Sequence, residues 1–225
     1  MPISETYNLD VMEYLKGVES GAFDLCIADP PYGIGDRLSN GGGGGGWQNM
    51  VEGNSSWDEK PDPAFFVEVF RVSKNQIIWG GNHFVLPPCE CPICWDKVRP
   101  NQKNVGEWEY AWTSFTARAQ MFRYCNNGGF LLPEPRIHIT QKPVALYKWL
   151  LQNYARPGDK IFDPMMGSQS SRIAAWDMGF DYVGCEKDFD YFRDGEARFK
   201  KHVANKTTLF APEQMYDFKQ TKLEF

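Results

Sequence analysis

The sequence predicts an α/β fold, in which helices cover both faces of a mostly parallel sheet. Two short apolar runs, FDLCIADPP and NQIIWGGN, end in turn residues, as buried parallel strands do. Segments of helical periodicity alternate with such runs along the chain, which is the order that βα units produce. With 225 residues, of which 42% are hydrophobic and 24% charged, the chain is expected to form a single domain.

The elements follow in order. After the strand at 23–31, the segment DPAFFVEVFRVSK predicts a helix capped by Asp62, and the NQIIWGGN strand comes next. In the last third, KPVALYKWLLQNY predicts a helix, KIFD a strand, SSRIAAWDMG a helix ending at Gly179, and DYVGC a strand. The segment FDYFRDGEARFKKHVAN predicts a final amphipathic helix.

The middle of the chain, residues 89–140, has a different composition, with aromatic residues alternating with basic and small polar ones. Its segments EYAWTSF and QMFRYC predict antiparallel strands. Residues 93–150 hold eight Lys and Arg against four acids, so this stretch carries +4 and the rest of the chain −9. Such a patch suits contact with phosphates, although a solvated charged face explains it equally well.

Composition also excludes some classes of protein. The N-terminal residues lack the basic-then-apolar pattern of a secretory signal, and no apolar stretch is long enough to span a membrane, so a cytoplasmic protein is expected. The six cysteines do not form a disulfide framework. The cluster Cys89, Cys91 and Cys94, with Cys125 and His138 as distant partners, could hold zinc, but the start of a buried strand at ICWDKV is the favoured interpretation.

A cofactor site is predicted where FDPMMGS follows a strand. Gly167 allows a sharp turn toward a ligand, and Glu186, about 20 residues on at the end of the next strand, suits ribose hydroxyls. The glycine series of dinucleotide sites and the lysine of phosphate loops are missing. These residues favour a nucleoside that bears a small zwitterion, with Asp163 near its ammonium group.

A second site is predicted at Asp29-Pro30-Pro31-Tyr32. The two prolines remove two N–H donors, so this turn presents acceptors, namely the Asp29 carboxylate and the Pro30 carbonyl, beside an aromatic ring. Acceptors next to a stacking surface suit a planar ring with an exocyclic amine. A rigid turn with a purely structural role would account for these four residues equally well.

The order of the motifs DPPYG, TQKPVALYKWLL, FDPMMGSQSS and YVGCEKD resembles the β-class amino methyltransferases that act on DNA, especially phage-type adenine-N6 enzymes. The resemblance covers nearly the whole chain. It implies a Rossmann-like class I methyltransferase fold with a mostly parallel seven-stranded sheet. Residues 1–87 would form the target-amine half, about 88–135 a small target-recognition insertion, and 136–225 the cofactor-binding half.

The resemblance also implies roles for individual residues. Asp29, Pro30, Pro31 and Tyr32 would bind the target amine of a base flipped out of double-stranded DNA. The cofactor would be S-adenosylmethionine, with S-adenosylhomocysteine as product, and no metal or membrane would be involved. The residues implied in binding it are Asp163, Met165, Gly167 and Ser168 at the methionine part, Lys142 at its carboxylate, Glu186 at the ribose and Asp10 near the adenine.

Several alternatives remain open at this stage. Cytosine-N4 methylation uses a nearly identical site, and a non-catalytic DNA-binding module is conceivable because Gln169 stands where the family usually has glycine. Methylation of a protein glutamine is disfavoured by the basic aromatic middle. The chain could act as a monomer or a homodimer. The glycine run Gly41–Gly46 predicts a flexible flap beside the target pocket.

Overall fold

The computed structural model describes residues 2–33, 58–98, 106–125, 137–138 and 140–209. In these residues eight strands form one sheet. Their bounds are β1 Ser4–Tyr7, β2 Phe23–Ala28, β3 Ser73–Trp79, β4 Ile93–Asp96, β5 Trp108–Thr113, β6 Gln120–Arg123, β7 Lys160–Asp163 and β8 Asp181–Cys185. The predicted flap at Gly41–Gly46 lies outside the described residues.

Five α-helices connect or follow these strands in the described part of the chain. They are α1 Val11–Leu15, α2 Pro63–Val72, α3 Val144–Tyr154, α4 Ser170–Met178 and α5 Phe189–Leu209. A short 3-10 turn, Gly81–His83, follows β3. None of the helices in these ranges is long and apolar enough to cross a membrane.

The strand order is β1-β8-β7-β2-β3-β5-β4-β6. All neighbouring pairs are parallel except the two that β5 makes, with β3 and with β4. The prediction of a mostly parallel sheet is therefore confirmed, but the described residues contain eight strands rather than seven. The two antiparallel strands predicted in the middle of the chain, at EYAWTSF and QMFRYC, are β5 and β6. They run in opposite directions, but they do not pair with each other, because β4 lies between them.

The ends of two helices form as their sequences predict. Asp62 caps α2 by accepting a hydrogen bond from the Ala64 N–H at 2.8 Å, and Pro63 is the first helical residue. Gly179 ends α4 with φ +81°, a left-handed conformation that glycine adopts without steric cost. Both signals are local, which is why the sequence alone reveals them.

Helices cover both faces of the sheet, and each face has its own apolar core. On one face α3 and α4 pack on strand residues such as Ile77, Trp79 and Ile161. On the other face α1 and α2 pack on residues such as Cys26 and Ile78. The strand at ICWD is confirmed, with Ile93 and Trp95 buried in the first core. A sheet buried on both sides explains why its central strands are continuously apolar.

The topology determines where a ligand can bind. The chain passes from β2 through α2 to β3 on one side, and from β7 through α4 to β8 on the other side, so the strand order reverses between β2 and β7. In open α/β sheets ligands bind at the carboxyl ends of the strands beside such a reversal. Asp29 directly follows β2 and Asp163 ends β7, so both carboxylates lie at this crevice.

Candidate active site

The Asp29-Pro30-Pro31-Tyr32 turn leaves the end of β2 with its carboxylate held in place. The Tyr32 hydroxyl donates a hydrogen bond to Asp29 Oδ1 at 2.8 Å, and the Lys142 ammonium lies 2.5 Å from the same oxygen. Among the described residues, the contacts to this carboxylate fall on Oδ1. Asp29 Oδ2 is therefore the oxygen that remains for a substrate N–H donor.

Lys142, two residues before the start of α3, is buried beside two carboxylates. Its ammonium lies 2.5 Å from Asp29 Oδ1 and 3.2 Å from Glu109 Oε2, and its side chain is only 3% exposed. Lys97 contacts the other oxygen of Glu109 at 2.6 Å. The resemblance implies a contact between Lys142 and a methionine carboxylate, whereas the structure directs this ammonium to the target-amine turn. The physical reason is that two carboxylates there neutralise a charge that burial would otherwise disfavour.

The electrostatics of this cluster follow from burial and from the charges. Burial raises the pKa of Asp29, the nearby Glu109 raises it further, and Lys142 acts in the opposite direction. Burial acts to raise the pKa of Glu109 as well, but Lys142 and Lys97 together hold it at about 2. Burial acts to lower the pKa of Lys142, yet Asp29 and Glu109 keep it above its ordinary value. The lysine therefore stays charged.

The Tyr32 ring lies between the backbone of the β3 turn and a histidine. A Cβ atom at Gly80 would be 2.1 Å from the ring, so the ring occupies the space that the glycine leaves. His83 stacks on Tyr32 with ring centroids 5.0 Å apart and planes 13° apart. A base that stacks on this ring face must therefore displace His83.

The predicted cofactor loop follows β7 and contacts the end of β8. Glu186 Oε2 accepts a hydrogen bond from the Gly167 N–H at 3.0 Å, and Gly167 has φ +44°. Asp163 is 2% exposed and accepts hydrogen bonds from the Met165 N–H at 3.1 Å and the Ser171 hydroxyl at 2.5 Å. Burial raises the pKa of Asp163 to about 7. Burial also raises the pKa of Glu186.

The other predicted cofactor residues are arranged around the same loop. The Ser168 carbonyl accepts a hydrogen bond from Arg198 at 2.6 Å, and the Ser168 side chain is buried. Asp10 follows β1 and caps α1, with its carboxylate accepting from the Met12 N–H. Asp10 is next to Leu9, whose N–H donates to the Glu186 carbonyl at 3.1 Å. The structure thus places Asp10, Glu186 and the loop at one end of the sheet.

Gln169 occupies the position at which the β-class methyltransferases that the motifs resemble usually have glycine. Its φ of +59° is left-handed, which explains why glycine suits the position. The side chain is fully buried, and it accepts a hydrogen bond from Arg172 at 2.8 Å and donates one to Glu196 at 3.2 Å. It therefore packs against α5 and does not fill the crevice at the strand ends.

The sequence predicts no active-site role for three residues that the structure places near the site: Glu109, Lys97 and His138, of which His138 is considered only as a distant zinc partner. Glu109 and Lys97 come from the aromatic middle of the chain, where they counted only as charges, and no local signal identifies them. His138 packs over the cofactor loop, since a Cβ at Gly167 would lie 3.4 Å from its ring, and burial and Lys142 lower the pKa of His138 to about 4. No group of three or more His, Cys, Asp or Glu suited to a metal occurs within the described ranges.

The fold is that of a Rossmann-like class I methyltransferase, and comparison with solved structures supports this class of fold. The crystal structure of an M1.HpyAVI–SAM complex superposes with a TM-score of 0.56 at 20% identity, covering 87% of this chain and 100% of that one. The PvuII DNA methyltransferase, which is cytosine-N4-specific, superposes with a TM-score of 0.57 at 11% identity, covering 90% and 92%.

The relatives in sequence are methylases too. The putative methylase YubD of Escherichia coli (strain K12) is 26% identical over 218 residues, covering 84% of this chain and 87% of that protein. The type II methyltransferase M2.MboI of Moraxella bovis is 22% identical over 145 residues, covering 64% of this chain and 48% of that protein. Residues 74–197 match the family described as DNA methylase, N6_N4_Mtase. The chain belongs to this family of DNA amino methyltransferases.

Proposed function

We propose that this protein transfers a methyl group from S-adenosylmethionine to the N6 amine of an adenine that is flipped out of double-stranded DNA. The observation that carries the proposal is the Asp29 carboxylate, held through Oδ1 by Tyr32 and Lys142 at the crevice beside the predicted cofactor loop. In this proposal Asp29 Oδ2 and the Pro30 carbonyl accept the two protons of the amine.

The residues of the loop fit the cofactor chemically. Asp163 and Glu186 offer carboxylates, which suit an ammonium group and ribose hydroxyls and would repel a phosphate. Gly167 turns the backbone sharply between them, with its N–H held by Glu186. We assign Asp163, Met165, Gly167 and Ser168 to the methionine part, Glu186 to the ribose and Asp10 to the adenine side. Lys142 contacts the target-amine turn, and its contact with the cofactor carboxylate remains a prediction.

When bound, S-adenosylmethionine supplies an electrophilic methyl group on a positively charged sulfur. The protein contributes position and electrostatics. Extrusion of the base costs a few kcal/mol and exposes the amine to Asp29 and Pro30. The two acceptors orient the nitrogen lone pair toward the methyl group, and the Asp29 charge stabilises the positive charge that develops on nitrogen. Tyr32 supplies the stacking surface once His83 has moved.

Cytosine-N4 is the second candidate target, since the family covers both amines. Aspartate at position 29 favours adenine, because cytosine-N4 enzymes often carry serine at that place. A non-catalytic DNA-binding module is less well supported, since the Gln169 side chain bonds to Arg172 and to Glu196 on α5.

The test is methylation of duplex DNA by the purified protein, with modified nucleosides identified by mass spectrometry. We expect N6-methyladenine from the wild type. Asp29→Ala is expected to lower the transfer rate by at least about 100-fold, as loss of a preorganised electrostatic group does, while calorimetry shows nearly unchanged cofactor binding. N4-methylcytosine alone would reassign the target base.

A matched control is Asp24→Ala, which removes a carboxylate from the same strand. Asp24 pairs with Lys74 and accepts from the Lys160 N–H, away from the carboxyl end of β2, so transfer should persist. Normal methylation by Asp29→Ala would contradict the role assigned to Asp29.

A further inference from the structure

Glu109 is a partly buried residue near the Asp29–Tyr32 turn, and it is linked to Asp29 through Lys142. Its Oε2 faces the Lys142 ammonium at 3.2 Å, and that ammonium lies 2.5 Å from Asp29 Oδ1. Lys142 thus stands between two carboxylates. Glu109 and Asp29 therefore share this lysine as an ion-pair partner.

The sheet itself determines the position of Glu109. The residue belongs to β5, where it is in register with Trp95 of β4, and Lys97 just beyond β4 bonds through its N–H to the Glu107 carbonyl at 2.9 Å. The Lys97 ammonium then meets Glu109 Oε1 at 2.6 Å. Each oxygen of the Glu109 carboxylate therefore faces a lysine ammonium, Lys97 at Oε1 and Lys142 at Oε2.

The alternating charges of this cluster affect how much negative charge the Asp29 carboxylate presents. A single lysine in contact with Asp29 would neutralise the carboxylate on which the reaction depends. A second carboxylate on the same ammonium offsets part of that effect, and Lys97 balances the cluster as a whole. Interactions between charges are strong here because the side chains are largely removed from water.

We propose that Glu109 is a positioning residue for methyl transfer, which holds Lys142 and shares its charge, so that the Asp29 carboxylate keeps its negative potential toward the substrate amine. This inference rests on the proposed function of Asp29. It concerns the rate of the chemical step and not the binding of either substrate.

The test is single-turnover methylation by Glu109→Gln, a change that preserves the size of the side chain and removes its charge. We expect the transfer rate to fall about 10- to 100-fold, with KM for S-adenosylmethionine and for DNA within about twofold of the wild type. The matched control is Glu68→Gln. Glu68 is also partly buried and also ion-paired, with Arg71 on α2, and its loss should leave the transfer rate unchanged.

A double-variant cycle separates this role from a purely structural one. If Glu109 acts through Lys142, then in a Lys142→Gln background the further change Glu109→Gln has little additional effect on the transfer rate. A structural role would instead lower the stability of both backgrounds by similar amounts and leave the rate per folded molecule unchanged.

The remaining outcomes are distinct. A normal transfer rate in Glu109→Gln, or an effect confined to KM for S-adenosylmethionine, would overturn the inference while the proposed function stands. A wild-type protein that methylates no DNA would overturn the proposed function, and the inference with it.

Discussion

At the scale of the residue, the proposed role of Asp163 in cofactor binding implies that this binding depends on pH. Its carboxylate ends β7 beside the crevice, and burial raises its pKa to about 7, although the Ser171 hydroxyl and the Met165 N–H act to lower it. Near neutral pH a large fraction of this group is therefore protonated. An ammonium group bound beside it would favour the ionised form, so binding would release a proton.

The expected result is a cofactor affinity that rises with pH. Below pH 7 the affinity should increase by up to about tenfold per pH unit, and it should level off above pH 7, where Asp163 is already ionised. Calorimetry between pH 6 and 8, in buffers of different ionisation enthalpy, measures both the affinity and the proton release. Asp163→Asn should bind more weakly and with a flatter profile. An affinity of the wild type that does not change over this range would contradict the role of Asp163.

Gln169 is a second residue whose conformation matters. Its left-handed backbone disfavours any side chain by about 1–2 kcal/mol, and two buried hydrogen bonds, to Arg172 and Glu196, offset that cost. Gly195 on α5 leaves room for it, since a Cβ there would lie 2.7 Å from Gln169 Cγ. The residue and its partner glycine are therefore complementary in shape.

Two substitutions at Gln169 separate the effect of its backbone conformation on stability from the effect of its side-chain hydrogen bonds. Both Gln169→Ala and Gln169→Gly lose the hydrogen bonds, but only glycine relieves the strain, so the Gly variant should be more stable than the Ala variant by about 1 kcal/mol. Urea unfolding measures the difference. Cofactor affinity should stay within about twofold of the wild type in both. Tighter binding by the Gly variant would show that Gln169 crowds the cofactor.

At the scale of the element, one carboxylate joins three helices. Asp177 on α4 accepts from His202 at 2.8 Å and from Lys206 at 2.6 Å, both on α5, and it pairs with Lys148 of α3. Burial acts to raise the pKa of Asp177, but the hydrogen bonds from His202, Lys148 and Lys206 hold it at about 2. The cluster stabilises the packing of the helices on one face of the sheet.

The sign of the pH effect follows from this lowered pKa. The ionised carboxylate stabilises the fold above its unfolded pKa of about 4, and that stability is lost as the pH falls from about 4 to about 2. Asp177→Asn is expected to lower the free energy of unfolding at pH 7 by about 1–2 kcal/mol, since the three partner side chains are partly exposed. Urea unfolding tests this.

A control for Asp177 lies on α5. Asp190 pairs with Arg193 at 2.7 Å in an exposed position, so Asp190→Asn should change the free energy of unfolding by less than about 0.5 kcal/mol. Equal losses in the two variants would indicate that the Asp177 cluster stabilises no more than an ordinary surface pair does.

The helices show how much of the secondary structure can be predicted from nearby residues alone. The caps at Asp62 and Gly179 and the periodicity of α2 and α3 depend on neighbours within a few residues, and they were predicted correctly. The pairing of β6 with β4 depends on residues about 27 positions apart in the chain. Register at that distance is set by packing, so sequence patterns identified the strands of the middle segment but not their neighbours.

At the scale of the whole molecule, the strand order brings distant motifs to one crevice. Asp29 and Asp163 are 134 residues apart in sequence, but β2 and β7 are adjacent and parallel, so both carboxylates leave the sheet at the same edge. The sequence predicted both motifs as strand ends. Their juxtaposition follows from the reversal of strand order between β2 and β7.

The sequence by itself determined the fold class, the family and the motif residues at the strand ends, because those features reside in short segments with their own periodicity, caps and turn chemistry. Only the tertiary structure decided which charges meet. It placed Glu109 and Lys97 beside Lys142 and Asp29, and it turned Gln169 toward α5. These contacts join residues from separate strands and helices, and their energies depend on burial, which no local pattern encodes.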